Sequence, residues 1–109
     1  MAELTEDSEQ KINQLQILEQ SLQNITLQKQ QFQAQLLEFD AALEEIEKSE
    51  DVYKVVGNIM VLVKKDKIKE ELENKKEISG LRVKNIEKQE NSIREKAKKL
   101  QEEVMQNMK

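Results

Sequence analysis

Val52-Tyr-Lys-Val-Val-Gly-Asn-Ile-Met-Val-Leu-Val63 lies at the middle of a 109-residue chain and differs in kind from the sequence on either side. β-Branched residues crowd it. Gly57-Asn58 stands at its centre, a dipeptide suited to a two-residue hairpin turn. With that turn Val56 pairs with Ile59, Val55 with Met60, Lys54 with Val61, Tyr53 with Leu62 and Val52 with Val63. Both faces are then largely apolar. Two strands alone are marginal in water, and two open edges invite pairing with other chains. No other element is left to cover them. The sequence therefore predicts an oligomer assembled through Val52, Tyr53, Val55, Val56, Ile59, Met60, Val61, Leu62 and Val63.

The flanks contain no proline and follow another period. From about Thr5 to Lys48, apolar residues fall at Leu15, Leu18, Leu22, Ile25, Phe32, Leu36, Phe39, Leu43 and Ile46. The steps alternate three and four, and Lys29 alone interrupts them. From about Lys67 to Met108 a weaker stripe runs Leu72, Val83, Ile86, Ile93, Ala97, Leu100, Val104, with Lys76, Ser79 and Glu90 in the remaining places. Sustained heptads of this kind predict coiled-coil helices. Asp66 reads as the N-cap of the second helix. Gly80 falls inside it, at a cost of about 1 kcal/mol relative to alanine, and marks a place for a bend.

Folding the stripes antiparallel pairs every seam residue with one whose number brings the sum to 118 or 119. Lys29, the polar interruption of the first helix, then meets Glu90, and Phe39 meets the small Ser79. Lys29 and Glu90 are read as a register pair. The predicted fold is mainly α: a long antiparallel two-helix coiled coil with a β-hairpin at the helix–helix connection. It forms one domain over residues 1–109, with helices at about 5–48 and 67–108 around a hairpin at 52–63.

Composition agrees. Charged residues make up 37%, aromatics 3%, and mean hydropathy is −0.81. Such values often mean disorder, but the 37% that is apolar is strictly patterned, which means long helices instead. Residues 1–50 carry a net charge of −8 and residues 51–109 a net +4, so the halves attract when folded together. The absence of Cys and His removes disulfides, thiol nucleophiles, histidine bases and zinc sites of the Cys/His type. Carboxylate pairs such as Glu70-Glu71 have no concave site to tune them. The chain reads as a non-enzyme without a cofactor. A net charge of −4 argues against nucleic acid, and the longest apolar run, Ile59 to Val63, is too short to enter a membrane as a span. The acidic start, Met1-Ala-Glu-Leu-Thr-Glu-Asp, is unlike a leader, and a cytoplasmic location is expected.

A long helix, a strand pair from Val52 to Val63 followed by Lys64-Lys-Asp66, and a second long helix resemble the beta-class subunits of the prefoldin family, of the archaeal kind. The resemblance spans essentially the whole chain and is most specific from Val52 to Asp66. It implies a hetero-oligomer of six subunits, four beta-class and two alpha-class, whose hairpins close into intersubunit β-barrels. It further implies that the coiled-coil tips hold unfolded client proteins without ATP and deliver them to a group II chaperonin.

Both termini lie at the tip of such a hairpin of helices, around the last seam pair, Leu15 and Val104. Leu4, Ile12, Val104, Met105 and Met108 are the candidate client-binding residues there, and Ile17 also lies off the seam. Methionine is flexible and polarisable, which suits varied apolar partners. From the residues alone these positions read equally well as frayed ends; the family resemblance implies client binding. Leu37, Ile78 and Leu81 widen the stripe near the hairpin and read as packing beneath it or on a neighbour's helix. The competing function is a passive coiled-coil scaffold or tether without client binding, which would keep good seam pairs to the tip.

Overall fold

The computed structural model describes residues 6–107, with helix α1 at Glu6–Lys48, strands β1 at Val52–Val56 and β2 at Ile59–Val63, and helix α2 at Lys65–Asn107. The helices are built mostly of Gln, Glu, Lys, Leu and Ala, the residues that lose least on entering a helix. Glu6, Asp7 and Glu9 in the first turn of α1 and Lys48 in its last favour the helix dipole. Past the end of α1, the Ser49 hydroxyl donates to the Glu45 carbonyl at 2.8 Å and the Ser49 amide donates to the Ile46 carbonyl at 3.2 Å. Both satisfy carbonyls that a helix end leaves open.

α2 begins two residues earlier than the capping pattern suggested. The Ile68 amide donates to the Lys64 carbonyl at 3.1 Å, so Lys64 occupies the cap. Asp66 is not the N-cap but sits in the first turn, where its carboxylate still complements the helix dipole.

β1 and β2 pair antiparallel in the expected register, from Val52 with Val63 to Val56 with Ile59. Gly57 has φ +60°, and no other residue among those described has positive φ. A first central residue in that region is what a type II′ turn demands, and only glycine enters it freely.

The chain divides into two compact units. The hairpin unit, Gln30–Val83, holds both strands, the end of α1 and the start of α2. Ile46, Ser79 and Val83 are buried in it, while Phe32, Leu36, Phe39, Leu43 and Leu72 are half-buried. Two helices can bury only one stripe each, so partial burial is the rule along the seam. Lys76 was expected in the seam but is exposed, its ammonium paired with Asp40. Lys69 pairs with Glu47, and Lys65 donates to the Glu47 carbonyl at 3.2 Å. The Arg82 guanidinium lies 5.4 Å from the centre of the Phe32 ring.

The helix-end unit, Met1–Lys29 with Lys84–Lys109, holds the start of α1 and the end of α2. Its buried residues are Ile86, Val104, Ser8 and Glu90, flanked by half-buried Leu15, Leu18, Leu22, Ile25, Ile93, Ala97 and Leu100.

α2 runs through Gly80 without a break, and a Cβ built there meets nothing within 4 Å. Gly80→Ala should therefore stabilise the isolated chain by about 1 kcal/mol, raising its melting midpoint by about 4 °C or more. Circular dichroism melts check this. A lower midpoint would mean that another backbone occupies the space beside Gly80.

Candidate functional site

Among the described residues the hairpin gathers a run of exposed apolar side chains, Tyr53, Val55, Val56, Ile59, Met60, Val61 and Leu62. Its two faces are unequal. Tyr53, Val55, Met60 and Leu62 share one face, carry no charge, and are 52–69% exposed. Val52, Lys54, Val56, Ile59, Val61 and Val63 share the other. There Val52 and Val63 are half-buried, and Lys54 donates to both Glu71 carboxylate oxygens, at 3.1 and 3.4 Å. Lys54 and then Lys75 hold the Glu71 carboxyl below its usual pKa. This contact explains the one charge inside an otherwise apolar strand pair. It ties β1 to α2 and holds the Val52–Val63 end of that face against the helix, while Val56 and Ile59 beside the turn stay 53% and 62% exposed. The all-apolar face has no cover within the chain.

In the helix-end unit the candidate client-binding residues separate. Met105 is 65% exposed, Ile12 is half-buried, and Val104 is buried in the seam and offers no free surface. Leu4 and Met108 lie outside the described residues. Lys11 pairs with Asp7 at 3.1 Å and with Glu103 at 3.2 Å. These partners, Asp7 first, raise the lysine pKa above its ordinary value. Two open grooves flank the seam. One, of about 410 Å³, is walled by Ile17, Leu18 and Leu100 and rimmed by Lys96 and Lys99. The other, of about 400 Å³, is walled by Leu22 and Leu27 with Thr26 and Arg94. Ile17 and Leu27 are both about 60% exposed. Sequence reasoning set Ile17 aside as merely off the seam and passed over Leu27. The signal for both was an aliphatic residue outside the stripe among glutamines.

Glu90 has almost no surface of its own. Lys29 donates to one carboxylate oxygen at 2.7 Å and the Thr26 hydroxyl to the other at 2.9 Å, with Arg94 4.0 Å away. The Lys29 contact leads in holding the Glu90 pKa below its ordinary value, against the opposing pull of burial. The expected Lys29/Glu90 contact is present, and Thr26, one turn from Lys29 on the same face, completes it. No buried side-chain polar atom among the described residues lacks a partner.

A pair of long helices joined by a bare apolar hairpin defines a coiled-coil subunit made to assemble with others. Comparison with known proteins agrees. The prefoldin-subunit family matches residues 9–109. Among curated relatives, the prefoldin subunit beta of Archaeoglobus fulgidus is 40% identical over 107 residues, covering 95% of this chain and 92% of that one. The prefoldin subunit beta of Pyrobaculum islandicum is 36% identical over 107 residues, covering 95% and 86%. The crystal structure of the prefoldin beta subunit from Thermococcus strain KS-1 matches with a TM-score of 0.93 at 34% identity, over 100% of this chain and 98% of that one. The chain belongs to the prefoldin family, and its relatives there are beta subunits. The resemblance carried by Val52 to Asp66 thus identified the family correctly. No helix among the described residues is long and apolar enough to cross a membrane.

Proposed function

We propose that this prefoldin-family chain is a holdase subunit that captures unfolded polypeptides at its helix ends, without ATP, and passes them to a group II chaperonin. Its hairpin joins an alpha-class subunit and further beta copies in an intersubunit β-barrel, within a cytoplasmic hexamer. The observation that carries client capture is exposed apolar surface at the helix ends: Met105 at 65% and Ile17 at 63%, with the Ile17–Leu100 groove open beside them. A passive scaffold has no use for such surface, which costs solubility. Val104 serves this reading as the seam residue that holds the end of α2 in place. Several such ends gripping one client weakly add up through effective concentration.

The test is light scattering from a heat-aggregating protein without nucleotide, with the chain alone and then mixed with an alpha-class subunit. Protection that needs the partner supports capture by several ends at once. A chain cut before Leu15 and after Gln101 should still assemble and should lose most of that protection. Protection undiminished by the cuts would move the site away from the ends.

A further inference from the structure

The outward faces of α1 and α2 in the helix-end unit differ. On α2 that face is the ordinary solvated kind, with Lys88, Glu95, Lys98 and Glu102 all exposed. On α1, from Asn13 to Leu27, a single exposed charge is present, Glu19, one turn from Gln23 at the flank of the face. Its other exposed polar residues are carboxamides, with Gln20, Gln23 and Asn24 lying between the bare Ile17 and Leu27. A face meant only for water gains nothing from two aliphatic residues at about 60% exposure. A carboxamide offers both a donor and acceptors, matching a peptide group, and costs less to strip of water than an ion.

From these observations we infer that the outward face of α1 between Ile17 and Leu27 is a track for the main chain of an extended, unfolded polypeptide segment. The inference rests on the holdase reading and enlarges it: client contact runs along the side of α1 as well as at the helix ends. Ile17 and Leu27 each wall one of the two grooves, on opposite flanks of the face. Ten residues of helix separate them, about 15 Å along the axis. An extended chain advancing about 3.3 Å per residue crosses that distance in about five residues. The segment this fits has two apolar side chains about five residues apart, one for each groove. The carboxamides meet the peptide groups between them. With Glu19 as the one charge on α1 beside the track, the intervening sequence is read weakly.

A second helix is a poor occupant. Helix packing needs apolar residues three and four apart on one stripe. Ile17 and Leu27 are ten apart and, at about 100° per residue, about 80° apart around α1.

The probe is fluorescein-labelled lysozyme, reduced and S-carboxamidomethylated so that it stays unfolded, read by anisotropy against the full chain assembled with its alpha-class partner. Ile17→Ala/Leu27→Ala and Gln20→Ala/Gln23→Ala/Asn24→Ala both keep good helix formers on an exposed face, so folding is preserved. Each should weaken probe binding about tenfold, whereas Lys98→Ala/Glu102→Ala on α2 should leave it within twofold. A ten-residue Gly/Ser peptide with leucines five apart should displace the probe. The same peptide N-methylated at the four residues between the leucines should not. Equal displacement by both peptides, or unchanged affinity in the carboxamide variant, overturns the inference. So does a change in assembly mass in place of probe affinity, which would make the face a subunit contact. If the end-truncated chain loses the probe while the α1 variants keep it, the track falls and the holdase reading stands. If the unaltered assembly does not bind the probe, both fall.

Discussion

Leu62→Asp should abolish assembly. In sedimentation with an alpha-class partner, the variant should run near its own 12.8 kDa while its helical circular dichroism persists. Leu62 stands opposite Tyr53 on the hairpin face that has neither a charge nor any cover within the chain. If other hairpins cover that face, each copy of the variant buries an unpaired carboxylate among apolar side chains. That costs several kcal/mol per subunit, more than one strand-to-strand contact returns. The helices survive because their seam lies elsewhere. Val61→Asp is the informative control. Val61 lies on the opposite face, directly across from Lys54, which can pair with the new carboxylate. Its effect should be clearly smaller. An intact assembly of the Leu62→Asp variant would remove that face from the subunit contacts.

The second large effect concerns Glu90. Lys29→Leu should destabilise the isolated chain by about 2 kcal/mol at pH 7, because it strands a carboxylate that has lost its main partner. The cost should fall short of the ~3–5 kcal/mol typical of breaking a pair in a thick core, because water lies one side-chain layer away in a two-helix structure. Lys29→Leu/Glu90→Leu should recover all of the loss or exceed the original stability, since two apolar residues then complete the stripe. The recovered variant gives up the polar pair at this step of the seam, so cross-links reporting helix register should broaden. The pH dependence follows from the pKa. Glu90 titrates below its ordinary value of 4.5, so the pair's contribution is present in full above that pH and is lost as the pH falls through the lowered value. The gap between the original chain and Lys29→Leu should narrow over the same range. Urea titrations at pH 7 and pH 3.5 measure both. A constant gap would mean that the lysine matters for packing and not for charge.

The extent to which the sequence alone predicts this molecule varies between its parts. Both helices, the hairpin, its register and the Lys29–Glu90 contact follow from local rules. Heptad spacing is set by helix geometry, strand register by the turn, and the opposing positions of Lys29 and Glu90 by the antiparallel arithmetic of two stripes. The family was legible in Val52 to Asp66. Asp66 was misread as a cap because chain geometry places the first helical hydrogen bond at the Lys64 carbonyl, whatever the side chain's preference. Val104 was assigned to the client surface because it stands near the end of the chain; it is buried because α2 is still paired there. Thr26 was missed because a polar residue beside a stripe has no periodic signal until its partner is placed across from it.

What the sequence determined by itself is the part that repeats: two helices, the turn between the strands, and the need for other subunits, because apolar residues were left over once each stripe was used. What only the tertiary structure decided is which leftover residues are free. Exposure depends on what stands opposite. The seam takes Val104 and leaves Met105. The Lys54–Glu71 contact holds only the Val52–Val63 end of one hairpin face against the helix and leaves the whole face of Tyr53, Val55, Met60 and Leu62 bare. Periodicity places a side chain on an element's face; the neighbouring element determines whether that face meets protein or water.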